Sequence, residues 1–173
     1  AHAVAYVMMA FRIAWFKVYH PLAFYAAYFS IRAKAFDLRI MTGDLKTQMT
    51  EFNRIKALDR GASPKDKDLM SALEVSMEMY QRGYRFINVD IQHSEARRFS
   101  IKDGALLPPF LAIDSLGETV ADAIVAEREE RPFTSLKDLQ RRCKVSNTII
   151  DLMKELKCCG ELPEDEQMSL FGA

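Results

Sequence analysis

Between residues 3 and 18 the apolar side chains Val4, Val7, Met8, Phe11, Trp15 and Val18 recur at spacings of three and four. This predicts a helix with one wide apolar face and with Arg12 and Lys17 elsewhere. His20-Pro21 ends it, because the residue before a proline avoids the helical region, and Leu22, Phe24, Tyr25, Tyr28 and Phe29 restart the pattern over 22–31. The two helices are expected to meet at a corner as a buried pair. Thr42-Gly43-Asp44 reads as turn and cap for a third helix carrying Leu45, Met49, Phe52, Ile55 and Leu58, closed by Gly61. Ser63-Pro64-Lys65-Asp66 is close to a capping box with proline at the first helical position. Leu69, Leu73, Met77 and Tyr80 form the stripe of the fourth helix, which stops at Gly83. The period then changes: Phe86, Val89, Ile91, Phe99 and Ile101 read as short strands leading to the hairpin signal Asp103-Gly104. Helices return beyond Pro108-Pro109. The expected fold class is mainly α with a small β element.

Composition alters this picture little. At 173 residues the chain can form one domain or two small ones with a real core, and 49% hydrophobic with 28% charged residues is a globular mixture. Lys+Arg and Asp+Glu balance at 24 each, so any basic surface has to be local. Cys143, Cys158 and Cys159 show neither paired CxxC spacing nor four zinc ligands, and read as reduced thiols of a cytoplasmic protein. Arg12, Lys17, His20, Pro21 and Arg32 interrupt the aromatic N-terminal third, so no run approaches the roughly 20 apolar residues of a membrane span. The opening Ala1-His2-Ala3-Val4-Ala5-Tyr6 has no initiator Met and no cleavage signal, and the expectation is a piece cut from something longer.

Three stretches carry candidate chemistry. In Ile113-Asp114-Ser115-Leu116-Gly117-Glu118-Thr119-Val120-Ala121-Asp122-Ala123-Ile124 the spacing of apolar, glycine and small residues resembles a helix-hairpin-helix motif. A tight turn there lets backbone N–H groups at the start of the following helix approach a phosphate, where the helix dipole also favours negative charge. Such contacts bind the DNA backbone without reading sequence. Gly117 keeps the central glycine, while Ser115 stands where a first glycine is usual and Thr119 where a lysine often is. The alternative is an ordinary helical corner with Gly117 as a C-cap. Downstream, Arg131, Lys137, Arg141, Arg142 and Lys144 face a single acid, Asp138, and 135–156 reads as a second, degenerate helix pair around Val145-Ser146. The alternative there is a solvated basic face. Finally, Glu161, Glu164, Asp165 and Glu166 lead to Gln167-Met168-Ser169-Leu170-Phe171. Two adjacent apolar anchors and an orienting glutamine on an exposed arm suit a hydrophobic pocket on a partner, and the pentapeptide resembles the clamp-binding peptide of bacterial replication proteins. The alternative is a frayed tail docking Leu170 and Phe171 on its own core.

The opening hexapeptide, the aromatic helix and Tyr19-His20-Pro21-Leu22 resemble the fingers of C-family bacterial replicases. With residues 103–109, Leu116-Gly117-Glu118 and the tail in the same order, the whole chain resembles the C-terminal end of the PolC-type DNA polymerase III alpha subunit of low-GC Gram-positive bacteria. The resemblance implies a helical fingers segment over 1–83 and a small β-hairpin connector over 84–110. A tandem helix-hairpin-helix DNA-binding domain follows over 111–160, and an acidic clamp-binding tail over 161–173. It places His2 and Tyr6 near the incoming nucleotide. It implies that Ser115, Leu116, Gly117, Glu118, Thr119, Arg141, Arg142 and Lys144 lie on duplex DNA, and Gln167, Leu170 and Phe171 on the sliding clamp (beta subunit). The implied parent is a cytoplasmic, nucleoid-associated DNA-directed DNA polymerase taking dNTP and primer-template. Its Mg2+ would be held by palm aspartates, of which this sequence shows no pattern, so no catalytic residue or metal site is expected here and the segment alone should not polymerise. Two other classes stay open: a helix-hairpin-helix subunit of a repair or recombination factor, and a helical interaction domain without DNA affinity.

Overall fold

The structure is a computed structural model, and it describes residues 2–165. It divides into two compact units, one formed by 2–87 with 98–107, the other by 88–97 with 108–165.

In the first unit, α1 (His2–Tyr19) passes through His20 into α2 (Pro21–Ala27), with Pro21 in the first turn, where its missing N–H has no helical partner to lose. A π-helical turn follows over Tyr28–Arg32. The short α3 (Leu38–Met41) is capped by Asp37, whose Oδ1 accepts from Ile40 N at 3.0 Å. The longer α4 (Leu45–Ala57) is capped by Asp44, and α5 (Pro64–Gln81) opens with a full capping box between Ser63 and Asp66. The strands are β1 (Ser100–Lys102) and β2 (Ala105–Leu107), paired antiparallel. Asp103 and Gly104 join them with φ of 51° and 74°, the double left-handed geometry of a type I′ turn. Phe86 bridges to Leu106 beside them. The core side chains of the strand pair and Phe86 serve the first unit. Phe86 and Phe99 pack with Phe29 and Phe36 in an aromatic cluster with ring centroids 4.9–6.2 Å apart. Tyr25, Met41, Ile55, Leu73 and Met79 complete that core.

The expectation of a buried first helix fails. No residue of α1 is buried, and Phe11 is 73% exposed. Its C-terminal end alone is clasped, through Lys17 to Glu78 at 2.6 Å and Arg82 Nη1 donating to the Lys17 carbonyl at 3.3 Å. The apolar residues lie on all sides of α1, whereas α2 can cover only the stretch near the corner.

The second unit contains a 3-10 turn over Phe110–Ala112, α6 (Glu118–Glu130), α7 (Leu136–Cys143) and α8 (Asn147–Glu155). Leu116, Ala121, Ile124, Leu139, Val145, Ile150 and Met153 are buried there. The segment 88–97 straps this bundle: Ile91 N donates to the Cys158 carbonyl at 3.1 Å, and Arg128 Nη1 donates to the carbonyls of Ile91 and Ser94. Cys143, Cys158 and Cys159 are free and buried, and burial pushes their thiols up to about 11, 12 and 11, so they remain protonated packing groups. Part of the expected acidic tail is docked. Pro163 and Glu164 carbonyls accept from the N–H groups of Leu136 and Lys137, and Glu164 and Asp165 pair with Lys154 and Lys137. Those carbonyls satisfy donors that the first turn of α7 would otherwise leave open.

Candidate nucleic-acid interface

Two turns in the second unit share one backbone design. Ser115 has φ 64°, Leu116 behind it is 5% exposed, and Gly117 takes φ −76° and ψ 158° as the N-cap of α6. Lys144 has φ 55°, Val145 is 3% exposed, and Ser146 takes φ −70° and ψ 155° as the N-cap of α8. A left-handed residue reverses the chain, a buried apolar residue pins the turn to the core, and an extended residue starts a helix. The left-handed conformation thus falls on Ser115, and Gly117 has an ordinary φ. This explains why glycine is usual at the position Ser115 occupies: a Cβ there costs roughly 1 kcal/mol or more.

The leading helices differ. The second hairpin runs from α7 into α8, whereas a single 3-10 turn precedes the first. The helix starts differ as well. Gly117 offers no side-chain cap, which leaves the first N–H groups of α6 to an outside acceptor, while Ser146 Oγ accepts from Ile149 N at 3.4 Å. Beside α6, Arg97 forks onto Glu118 Oε2 at 2.6 Å and onto the carboxylate of Asp122. These hydrogen bonds hold the Asp122 carboxyl below its ordinary range. Ser115, Gly117, Glu118 and Thr119 are exposed; Leu116 is a core residue and meets a ligand only through its backbone.

The basic residues divide into internal and external ones. Arg142 is internal, its side chain 11% exposed. It donates from Nε to Glu127 Oε2 at 3.0 Å, from Nη1 to Asp138 Oδ2 at 3.2 Å, and from Nη2 to the carbonyls of Glu127 and Arg131. Its guanidinium also covers the Phe133 ring at 4.7 Å. Arg142 therefore ties α6 to α7, and its N–H groups are largely spent. Arg141 and Lys144 are exposed. The Asp138 side chain is fully enclosed and takes Arg131, Arg141 and Arg142 together. Burial opposes its ionisation, but hydrogen bonds from Arg141, the Thr134 N–H and Arg142 outweigh burial and hold the carboxyl below the usual Asp range.

His2 and Tyr6 lie one turn apart on exposed α1, their rings edge to face at 4.6 Å. Gln167, Leu170 and Phe171 lie outside the described residues. Nothing in their spacing singles out Arg97 and Glu127, which reach the site only through the fold. Asp138 three and four residues before Arg141 and Arg142 was the legible part of the cluster, since those spacings face each other on a helix. Glu127 joins it only through the packing of α6 on α7. Among the described residues no three His, Cys, Asp or Glu side chains are grouped to hold a metal ion, and no helix is long and apolar enough to cross a membrane.

The paired turns define a helix-hairpin-helix protein, and residues 83–167 match the family model described as helix-hairpin-helix motif. Over its whole length the chain has closer relatives. It is 47% identical over 171 residues to the DNA polymerase III PolC-type of Caldanaerobacter subterraneus subsp. tengcongensis. It is 48% identical over 174 residues to that of Streptococcus suis, and 46% identical over 174 residues to that of Streptococcus pyogenes. Each match covers 99% of this chain and 12% of the relative. The chain belongs to the PolC-type DNA polymerase III family, as a segment spanning about an eighth of its relatives' length.

Proposed function

We propose that this chain is the C-terminal, non-catalytic part of a cytoplasmic replicative DNA-directed DNA polymerase, and that it holds duplex DNA behind the primer end. The observation that carries the reading is the repeated turn. Left-handed residue, buried anchor and extended N-cap recur at 115–117 and at 144–146, with Arg141 and Lys144 exposed beside the second. Two helix starts presented by one bundle can approach successive backbone phosphates, a contact without sequence preference. The repair or recombination alternative has less support, since the relatives matched along 99% of the chain bear a polymerase name.

The remaining assignments belong to the same proposal. His2 and Tyr6 would lie beside the incoming dNTP, with α1 covered by other parts of the longer polymerase. The Mg2+ of the reaction would sit on palm carboxylates outside this sequence. Gln167, Leu170 and Phe171 would engage the sliding clamp, where tethering raises the local concentration of polymerase without new chemistry.

The chain is expected to bind unrelated duplexes of equal length with equal affinity, weakening as salt rises. Affinity that ignores salt would refute the duplex reading. Deleting 167–171 should abolish capture by immobilised clamp and leave duplex affinity intact; unchanged clamp capture would refute the tail assignment.

A further inference from the structure

We infer that Arg131 and Arg141 form a paired-guanidinium site that receives one backbone phosphate of duplex DNA, apart from the two helix starts. The inference rests on the duplex-binding reading above. Both arginines use Nη2 on the same oxygen, Asp138 Oδ1, at 3.3 Å and 2.9 Å. Asp138 is enclosed, whereas the side chains of Arg131 and Arg141 are 57% and 70% exposed. One buried atom thus holds two solvent-facing guanidiniums within reach of a single ligand.

The charge balance makes this an anion site. Arg142 serves the other Asp138 oxygen and Glu127 from inside the bundle. Against two carboxylates stand three guanidiniums, and the surplus positive charge falls on the exposed pair. Each of the two arginines spends one N–H on Asp138, which leaves the others to meet phosphate oxygens; the planar fork suits that geometry. Asp138 also sets the angles of both guanidiniums before the ligand arrives, so little side-chain entropy is lost on binding. Arg142 and the Thr134 N–H hold Asp138 Oδ2, so the buried charge stays compensated while the remaining N–H groups of the outer pair meet a phosphate.

The test is a salt titration of duplex affinity with the whole chain and with R131Q/R141Q. Both side chains are exposed, and unchanged circular dichroism is expected. Loss of one neutralised phosphate should lower the slope of log affinity against log salt by about 0.9, with about tenfold weaker binding at low salt. R131K/R141K keeps both charges and should restore most of the slope; failure to restore it would assign the loss to a disturbed fold and overturn the site. Wild-type binding that the double Gln variant reproduces in slope and affinity would overturn the site and leave the duplex reading standing. A wild-type chain without salt-dependent duplex binding would bring down both. Pyrophosphate at matched ionic strength should displace duplex more readily from the wild-type chain than from R131Q/R141Q; a wild-type affinity for pyrophosphate that exceeds its affinity for duplex would assign the pair to a free phosphate compound and overturn the duplex assignment.

Discussion

Ser115 and Lys144 hold left-handed backbone without being glycine, and the two positions invite different responses to mutation. Ser115 is exposed, and its side chain makes no hydrogen bond among those described, so the strain of its φ of 64° is uncompensated. Ser115→Gly should stabilise the chain by about 1 kcal/mol, less a small entropy cost in the unfolded state, and raise the midpoint of urea unfolding. A lowered midpoint would mean that the hydroxyl has a native role. The turn itself was legible from apolar spacing around 113–124. Its conformational division was not, because Gly117 is the only glycine in 113–124, while φ depends on how Leu116 is drawn into the core.

At the scale of elements, one guanidinium, that of Arg142, ties α6 to α7. Arg142→Ala would remove the ties to Glu127, Asp138 and two carbonyls. It should cost about 2 kcal/mol, less than for a solitary buried pair, since Arg131 and Arg141 still compensate Asp138. Denaturant unfolding measures this; a change below about 0.5 kcal/mol would deny Arg142 its clasp role. The same cluster gives a pH dependence. Asp138 has a lower pKa in the folded state than the roughly 3.9 of an unfolded Asp, so its stabilisation is complete at neutral pH. The stabilisation shrinks as pH falls below that value toward the folded one, and the slope of stability against pH below 4 should flatten in Asp138→Asn. In sequence these residues formed a basic run with one acid, which fits a solvated face as well as an ion cluster. Folding decides between them, because Glu127 lies on α6 and meets Arg142 only when α6 packs on α7.

For the whole molecule, α1 presents the largest departure. A helix apolar on every side belongs in an interior, yet within the described residues Val4, Met8, Phe11 and Trp15 all remain exposed. Phe11→Gln should therefore change the unfolding free energy by less than about 0.5 kcal/mol, and it should reduce self-association of the chain in sedimentation. A loss of several kcal/mol would show that Phe11 is packed in solution. What the sequence determined by itself is local: helices, caps, the Asp103-Gly104 turn and the hairpin signatures follow from periodicity, side-chain hydrogen bonding and allowed φ, all of which act over a few residues. Tertiary structure alone decided that the strand pair serves the first unit while 88–97 straps the second. It decided likewise that Arg142 faces inward while Arg131 and Arg141 face out, and that no residue of α1 is buried among those described. Burial and charge pairing depend on which distant residues fill the space around a side chain, and hydrophobic spacing along the chain carries no record of that.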